Sequence, residues 1–147
     1  RVQYLDRLEA ESEGALPVER ILEALLVPAL RITRSPLEQG ATVLRLLGRA
    51  FSEPGDYMKD FLPDQYREAA RRFQAALARA LPHLPEAELV WRMHFTFGAI
   101  AYVMAGDDAL KLVAQCEAEA SDDPEAIVQR LVPFLAAGFR APLSPPA

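Results

Sequence analysis

Cysteine is almost missing from this chain: Cys116 is the only one in 147 residues. A single thiol closes no internal disulfide and builds no cysteine-rich zinc site, and such sparing use fits a reducing, cytoplasmic setting. The acid Glu117 beside it disfavours the thiolate that a nucleophile needs. Histidine is scarce too, with only His83 and His94, and neither has a glutamate three residues before it, since Ala80 and Trp91 stand there. That excludes the paired Glu-x-x-His motifs of a di-iron bundle, and zinc-protease spacing is also wanting. There is no Gly-x-Ser-x-Gly elbow and no glycine-rich phosphate loop. From these absences no catalytic residue, metal or cofactor is expected, and the chain is read as something other than an enzyme. Basic charge is short as well: the net charge is -5, which disfavours holding nucleic acid unaided, because phosphate neutralisation needs a basic face. No apolar stretch reaches the roughly 18 residues of a membrane span, so no membrane partner is expected.

Helical rhythm is what the chain does have. With 51% hydrophobic and 25% charged residues, a domain of this length buries roughly 68–70% of its unfolded surface and needs no staple. It opens on Arg1-Val2-Gln3-Tyr4-Leu5 already in helical register, without a secretory leader, and reads as if cut from something longer. Val2, Leu5 and Leu8 place a first helix over about 1–12, ended by the polar run Glu9 to Gly14. A second starts at Pro17, with Val18, Ile21, Leu22, Leu25, Leu26 and Leu30 at helical spacing and Pro28 as an interior kink. Ser35-Pro36 caps a third helix running to about Phe51, and a short turn of helix spans Asp56 to Phe61 after the Pro54-Gly55 break. Pro63-Asp64 opens a fourth long helix to about Leu81, amphipathic with Tyr66, Ala70, Phe73, Leu77 and Ala80 facing in. Pro85 begins the next, which Gly106 closes; residues 107–121 read equally as weak helix or loop; and Asp122-Asp123-Pro124-Glu125 starts a last helix to about Arg140. Nothing alternates with the period of a strand, so the fold class is all-α with six to seven helices.

The run Trp91 to Met104 stands apart. Between Phe95 and Met104 the one small polar side chain is Thr96, so a helix here is apolar around its circumference and has to be covered on every side. Two readings follow. Either Phe95 and Tyr102 are core residues of a monomer, or part of this helix is covered by a second copy of the chain, which spares a small domain a large exposed apolar patch.

Two segments carry a resemblance. One is Leu81-Pro82-His83-Leu84-Pro85 followed by Glu88-Leu89-Val90-Trp91-Arg92-Met93-His94-Phe95 and Gly98-Ala99; the other is Arg130-Leu131-Val132-Pro133-Phe134-Leu135-Ala136-Ala137-Gly138-Phe139-Arg140-Ala141-Pro142. With the start at Arg1 to Glu11, they resemble the C-terminal ligand-binding and dimerisation domain of TetR-family transcriptional regulators across nearly the whole chain. The resemblance implies a domain over 1–140, in which 1–12 is the helix connecting to a DNA-binding head, with 141–147 a flexible tail. It also implies that operator DNA is met only through an N-terminal helix-turn-helix head, which nothing in these 147 residues matches.

The same resemblance implies a homodimer held by a four-helix bundle built from 86–105 and 124–139, with Gly98, Ala99, Tyr102, Ala105, Val128, Leu131 and Leu135 at the interface. It further implies a small apolar effector between the central helices, fatty acids and acyl derivatives being candidates. The bulky apolar residues available to line such a cavity are Leu26, Leu47, Phe51, Tyr57, Met58, Phe61, Tyr66, Phe73, Trp91 and Phe95, each of which also reads as ordinary core. Arg45 and Arg49, one turn apart, are either anchors for a carboxylate or a solvated stripe with Glu38 and Thr42; His94 is either a ligand donor or a neutral histidine at the dimer interface. The function expected is thus the effector-sensing half of a repressor that leaves operator DNA when loaded. A freestanding lipid-carrying or protein-interaction module is the alternative.

Overall fold

A computed structural model describes residues 1–31, 64–104 and 124–143. Through them run five α-helices: α1 (Val2–Ala10), α2 (Val18–Arg31), α3 (Asp64–Ala80), α4 (Glu86–Met104) and α5 (Pro124–Arg140). The described residues include no strand, in line with the all-α expectation. The expected helix from Ser35 to Phe51, the short turn at 56–61 and the ambiguous segment 107–121 lie outside the described residues.

Prolines set the helix starts by a common device. The carbonyl of Pro17 accepts the amides of Arg20 and Ile21 at 3.0 and 3.2 Å, and that of Pro85 accepts Leu89 at 2.9 Å. Both prolines therefore sit one step before their helix, where the missing N–H is no loss, rather than inside the first turn. At the end of α1 the Glu11 amide donates to Arg7 at 3.1 Å. Ser12 Oγ then donates to the Gly14 carbonyl at 3.0 Å, a side-chain turn that lets the chain leave α1. Pro28 lies inside α2, which continues to Arg31, and Pro133 lies inside α5. Each deprives the carbonyl four residues earlier of its helical donor.

α2 is the central helix: it touches α1 and α3 and packs most extensively on α5. Its Ile21, Leu22, Ala24 and Leu26 are sealed in one core with Leu5 of α1, Phe73 of α3 and Phe139 of α5. Fully burying a side chain of this size contributes roughly 1.5–3 kcal/mol, so this cluster dominates the body's cohesion. The amphipathic reading of α3 holds, with Phe73 and Leu77 buried, Ala70 and Ala80 half-buried, and Arg67, Glu68 and Arg71 outward. Ion pairs brace the periphery: Arg72 bonds Asp6 and lies 3.5 Å from Glu9, and Arg79 bonds Glu9, so α1 is tied to α3 at two turns.

Candidate functional site

From Leu89 to Met104 nearly every side chain of α4 is compatible with burial, and the fold chooses one stripe. Leu89, Met93, Thr96 and Ile100 are buried, spaced four, three and four residues apart along the inner face. Trp91, Phe95, Gly98 and Tyr102 each lie two residues further on, about 200° around the helix, and therefore point away from the core. Trp91 is 58% exposed, Phe95 62% and Tyr102 61%. This corrects the expectation that Trp91 and Phe95 close the core or line an internal cavity: at 100° per residue they cannot share a face with Met93 and Thr96. The Trp91 and Phe95 rings lie 5.8 Å apart between centroids at a shallow 30°, and His94, exposed beside them, sits 6.1 Å from Trp91 edge-on. His94 thus belongs to the outer aromatic cluster rather than to an internal cavity.

α5 shows the same division. Val132, Leu135, Ala136 and Phe139 are buried, while Arg130, Pro133, Phe134, Ala137 and Gly138 are exposed, Phe134 at 70%. Leu135, expected at a dimer interface, is instead a core residue at 6% exposure, and Val128, Leu131 and Ala99 pack half-buried against that core. Of the expected interface positions Gly98 and Tyr102 lie open, and Ala105 is outside the described residues. Trp91, Phe95 and Phe134, absent from that set, are exposed aromatics that periodicity could not assign to it. Among the described residues a Cβ built at Gly98 or at Gly138 meets nothing within 4 Å, so none of them requires either glycine for packing.

The polar centre of this region is Arg92, 7% exposed. Its Nη1 donates to the carbonyls of Gly138, Phe139 and Ala141 at 3.1, 2.8 and 2.8 Å, and its Nε donates to Glu88 Oε1 at 2.9 Å. A cation thus caps the negative end of α5, where the last carbonyls lack helical donors. Thr96 Oγ1 donates to the Arg92 carbonyl at 2.8 Å, which accounts for the other buried polar side chain. Sequence reasoning missed Arg92. The available signals were a guanidinium inside an apolar helix and an acid, Glu88, one turn before it.

Between the helices runs a crevice of about 10 Å3, lined by Leu22 and Leu25 of α2, Phe73 and Leu77 of α3, Thr96 of α4 and Phe139 of α5, among others. That space is on the scale of one water molecule, against several hundred Å3 for a drug-sized ligand. Among the expected ligand residues, Phe73 lines it and Leu26 is buried in the same core. Tyr66 belongs to α3 but its side chain is outside the described set, as are Leu47, Phe51, Tyr57, Met58, Phe61, Arg45 and Arg49 in full. No group of three or more His, Cys, Asp or Glu among the described residues is arranged to hold a metal ion. No described helix is long and apolar enough to cross a membrane.

The sequence profile described as Tetracyclin repressor-like, C-terminal domain matches residues 23–138, which takes in most of α2 and all of α3 and α4, and reaches into the last turn of α5. The chain belongs to this TetR-like C-terminal family. Domains of this family are, in general, ligand-sensing and regulatory. No curated protein matches the chain significantly.

Proposed function

We propose that this chain is the effector-sensing and dimerisation body of a cytoplasmic TetR-like transcriptional repressor, with residues 1–12 leading to a DNA-binding head. Two copies join through α4 and α5 into a four-helix bundle, and an apolar effector entering beside the crevice alters the pose of α1, releasing the full-length dimer from operator DNA. The observation that carries this reading is the exposed row Trp91, Phe95 and Tyr102 on α4 with Phe134 on α5, inside a domain of this family. The Trp91 and Phe95 rings adjoin, α4 touches α5, and aromatic side chains this open solvate poorly and are of the kind that anchors protein interfaces. Gly98 supports it, since a helix-interior glycine costs about 0.5–1 kcal/mol relative to alanine and no described residue of the protomer packs closely enough there to require it.

The crevice supports the sensing half. It is apolar apart from Thr96 and lies where four helices converge, so a fatty acid or acyl derivative would have to spread them to gain room. Spreading helices that α1 is tied to, through Arg72 and Arg79 of α3, moves α1. Native mass spectrometry of freshly purified chain tests the proposal: a mass of two protomers, with an added mass lost on delipidation, is the expected spectrum. A monomer mass at micromolar concentration overturns the dimer, and failure of saturated or unsaturated C12–C18 fatty acids to add mass or raise the melting temperature overturns the fatty-acid class.

A further inference from the structure

We propose that Arg92 is the positioning residue that aligns α4 and α5 into one dimer surface; this inference rests on the dimer reading above. α5 is broadly packed on α2 but meets α4 narrowly. The relative placement of the two surface-bearing helices is therefore weakly determined by apolar contact alone. Arg92 supplies the determination. One guanidinium nitrogen gathers the carbonyls of Gly138, Phe139 and Ala141, while Glu88, one turn back on α4, receives Nε and Nη2, each at 2.9 Å. A planar guanidinium held on both edges has little rotational freedom, so the last turn of α5 is fixed against the second turn of α4.

The pinned turns are the ones that carry the outer stripes. Trp91 and Phe95 flank Arg92 along α4, and Gly138, whose carbonyl it holds, follows Phe134 by one turn on α5. A shift of either turn separates the two rows of side chains that a partner would have to meet together, and interface affinity is sensitive to such preorganisation. Arg92 itself is buried and offers nothing to a partner directly. Its effect on association is carried by the helices it joins.

The test uses the chain in dilution-series sedimentation velocity, with urea unfolding recorded in parallel on each variant. Trp91 is the sole tryptophan, so its emission reports the same face without a label. Glu88→Ala, which frees one edge of the guanidinium, is expected to raise the dimer dissociation constant about threefold to tenfold. Arg92→Lys keeps a cation for the carbonyls but loses the fork and is expected to raise it at least tenfold, with red-shifted Trp91 emission. Leu8→Ala, in the core at α1, lowers stability while leaving the constant of the folded protein unchanged. Dimeric wild type with unaltered constants in Glu88→Ala and Arg92→Lys makes Arg92 a helix cap only and overturns this inference alone. Monomeric wild type overturns the dimer reading and this inference together.

Discussion

Glu19 and Arg140 meet across the body in a two-pronged ion pair, with Arg140 Nη2 2.7 Å from Glu19 Oε2. The first turn of α2 is thereby joined to the last residue of α5, 121 positions later. Hydrogen bonding from Arg140 and, next, a backbone hydrogen bond of Glu19 hold the Glu19 carboxyl below its ordinary value of 4.5 against the opposing effect of burial, with the charge of Arg140 adding least. Because the folded value is the lower one, the stabilisation is fully present above about pH 4.5 and is lost as pH falls through the folded value. Both side chains are more than a third exposed, so the pair is screened and contributes on the order of half a kcal/mol. Glu19→Gln is expected to flatten the acid limb of a Tm-versus-pH curve below pH 5 and leave neutral-pH Tm nearly unchanged at high salt.

Gly98 gives opposite signs in the two states of association. In the protomer a Cβ there meets open space, so Gly98→Ala is expected to stabilise the isolated subunit by about 0.5–1 kcal/mol through helix propensity. At a dimer interface the same methyl holds the partner off. Urea unfolding at nanomolar protein and sedimentation at tens of micromolar should therefore move in contrary directions, and a variant that strengthens both would remove Gly98 from the interface.

Phe134, 70% exposed in the protomer, is expected to behave as an interface anchor. Truncating such an aromatic typically costs about 2 kcal/mol of binding, close to thirtyfold in the dissociation constant. Phe134→Ala should thus shift the dilution midpoint by that factor while changing the unfolding midpoint of the monomer little. Isothermal dilution calorimetry reads the first quantity and circular dichroism at low concentration the second.

The two faces of α4 separate cleanly by mutation. Met93→Ala on the inner stripe removes a side chain only 8% exposed and should cost about 2–5 kcal/mol of protomer stability. Tyr102→Ala on the outer stripe should cost the protomer well under 1 kcal/mol. Chemical denaturation under monomeric conditions measures both, and equal losses would contradict the assignment of stripes.

The positions of the helices were legible because prolines and period mark them: α2, α3, α4 and α5 begin within a residue or so of Pro17, Pro63, Pro85 and Pro124. The inner face of α3 was legible because Arg67, Glu68 and Arg71 occupy the other side. The inner face of α4 was not, since almost every side chain from Leu89 to Met104 is compatible with burial and a moment needs contrast. Polarity even misled there: Arg92 and Thr96 go inside, satisfied by carbonyls at 2.8–3.1 Å, while Trp91 and Phe95 go out. For Arg92 the partners that decided it lie 46 to 49 residues away, where no local window reaches them, whereas Thr96 is satisfied by the Arg92 carbonyl one turn back.

The seat of α2 at the middle of the body governs the order in which the chain gains its structure. Ile21 and Leu22 belong to a helix completed well before α5, yet much of their cover comes from α5, with Phe139 more than a hundred residues downstream. Closing so long a loop costs entropy before any contact offsets it, and apolar surface stays open until α5 leaves the ribosome. A chain stopped short of α5 should therefore emerge as a loose helical collapse that depends on chaperones, and substitutions in α5 should lower yield in the cell more than their equilibrium effect alone implies.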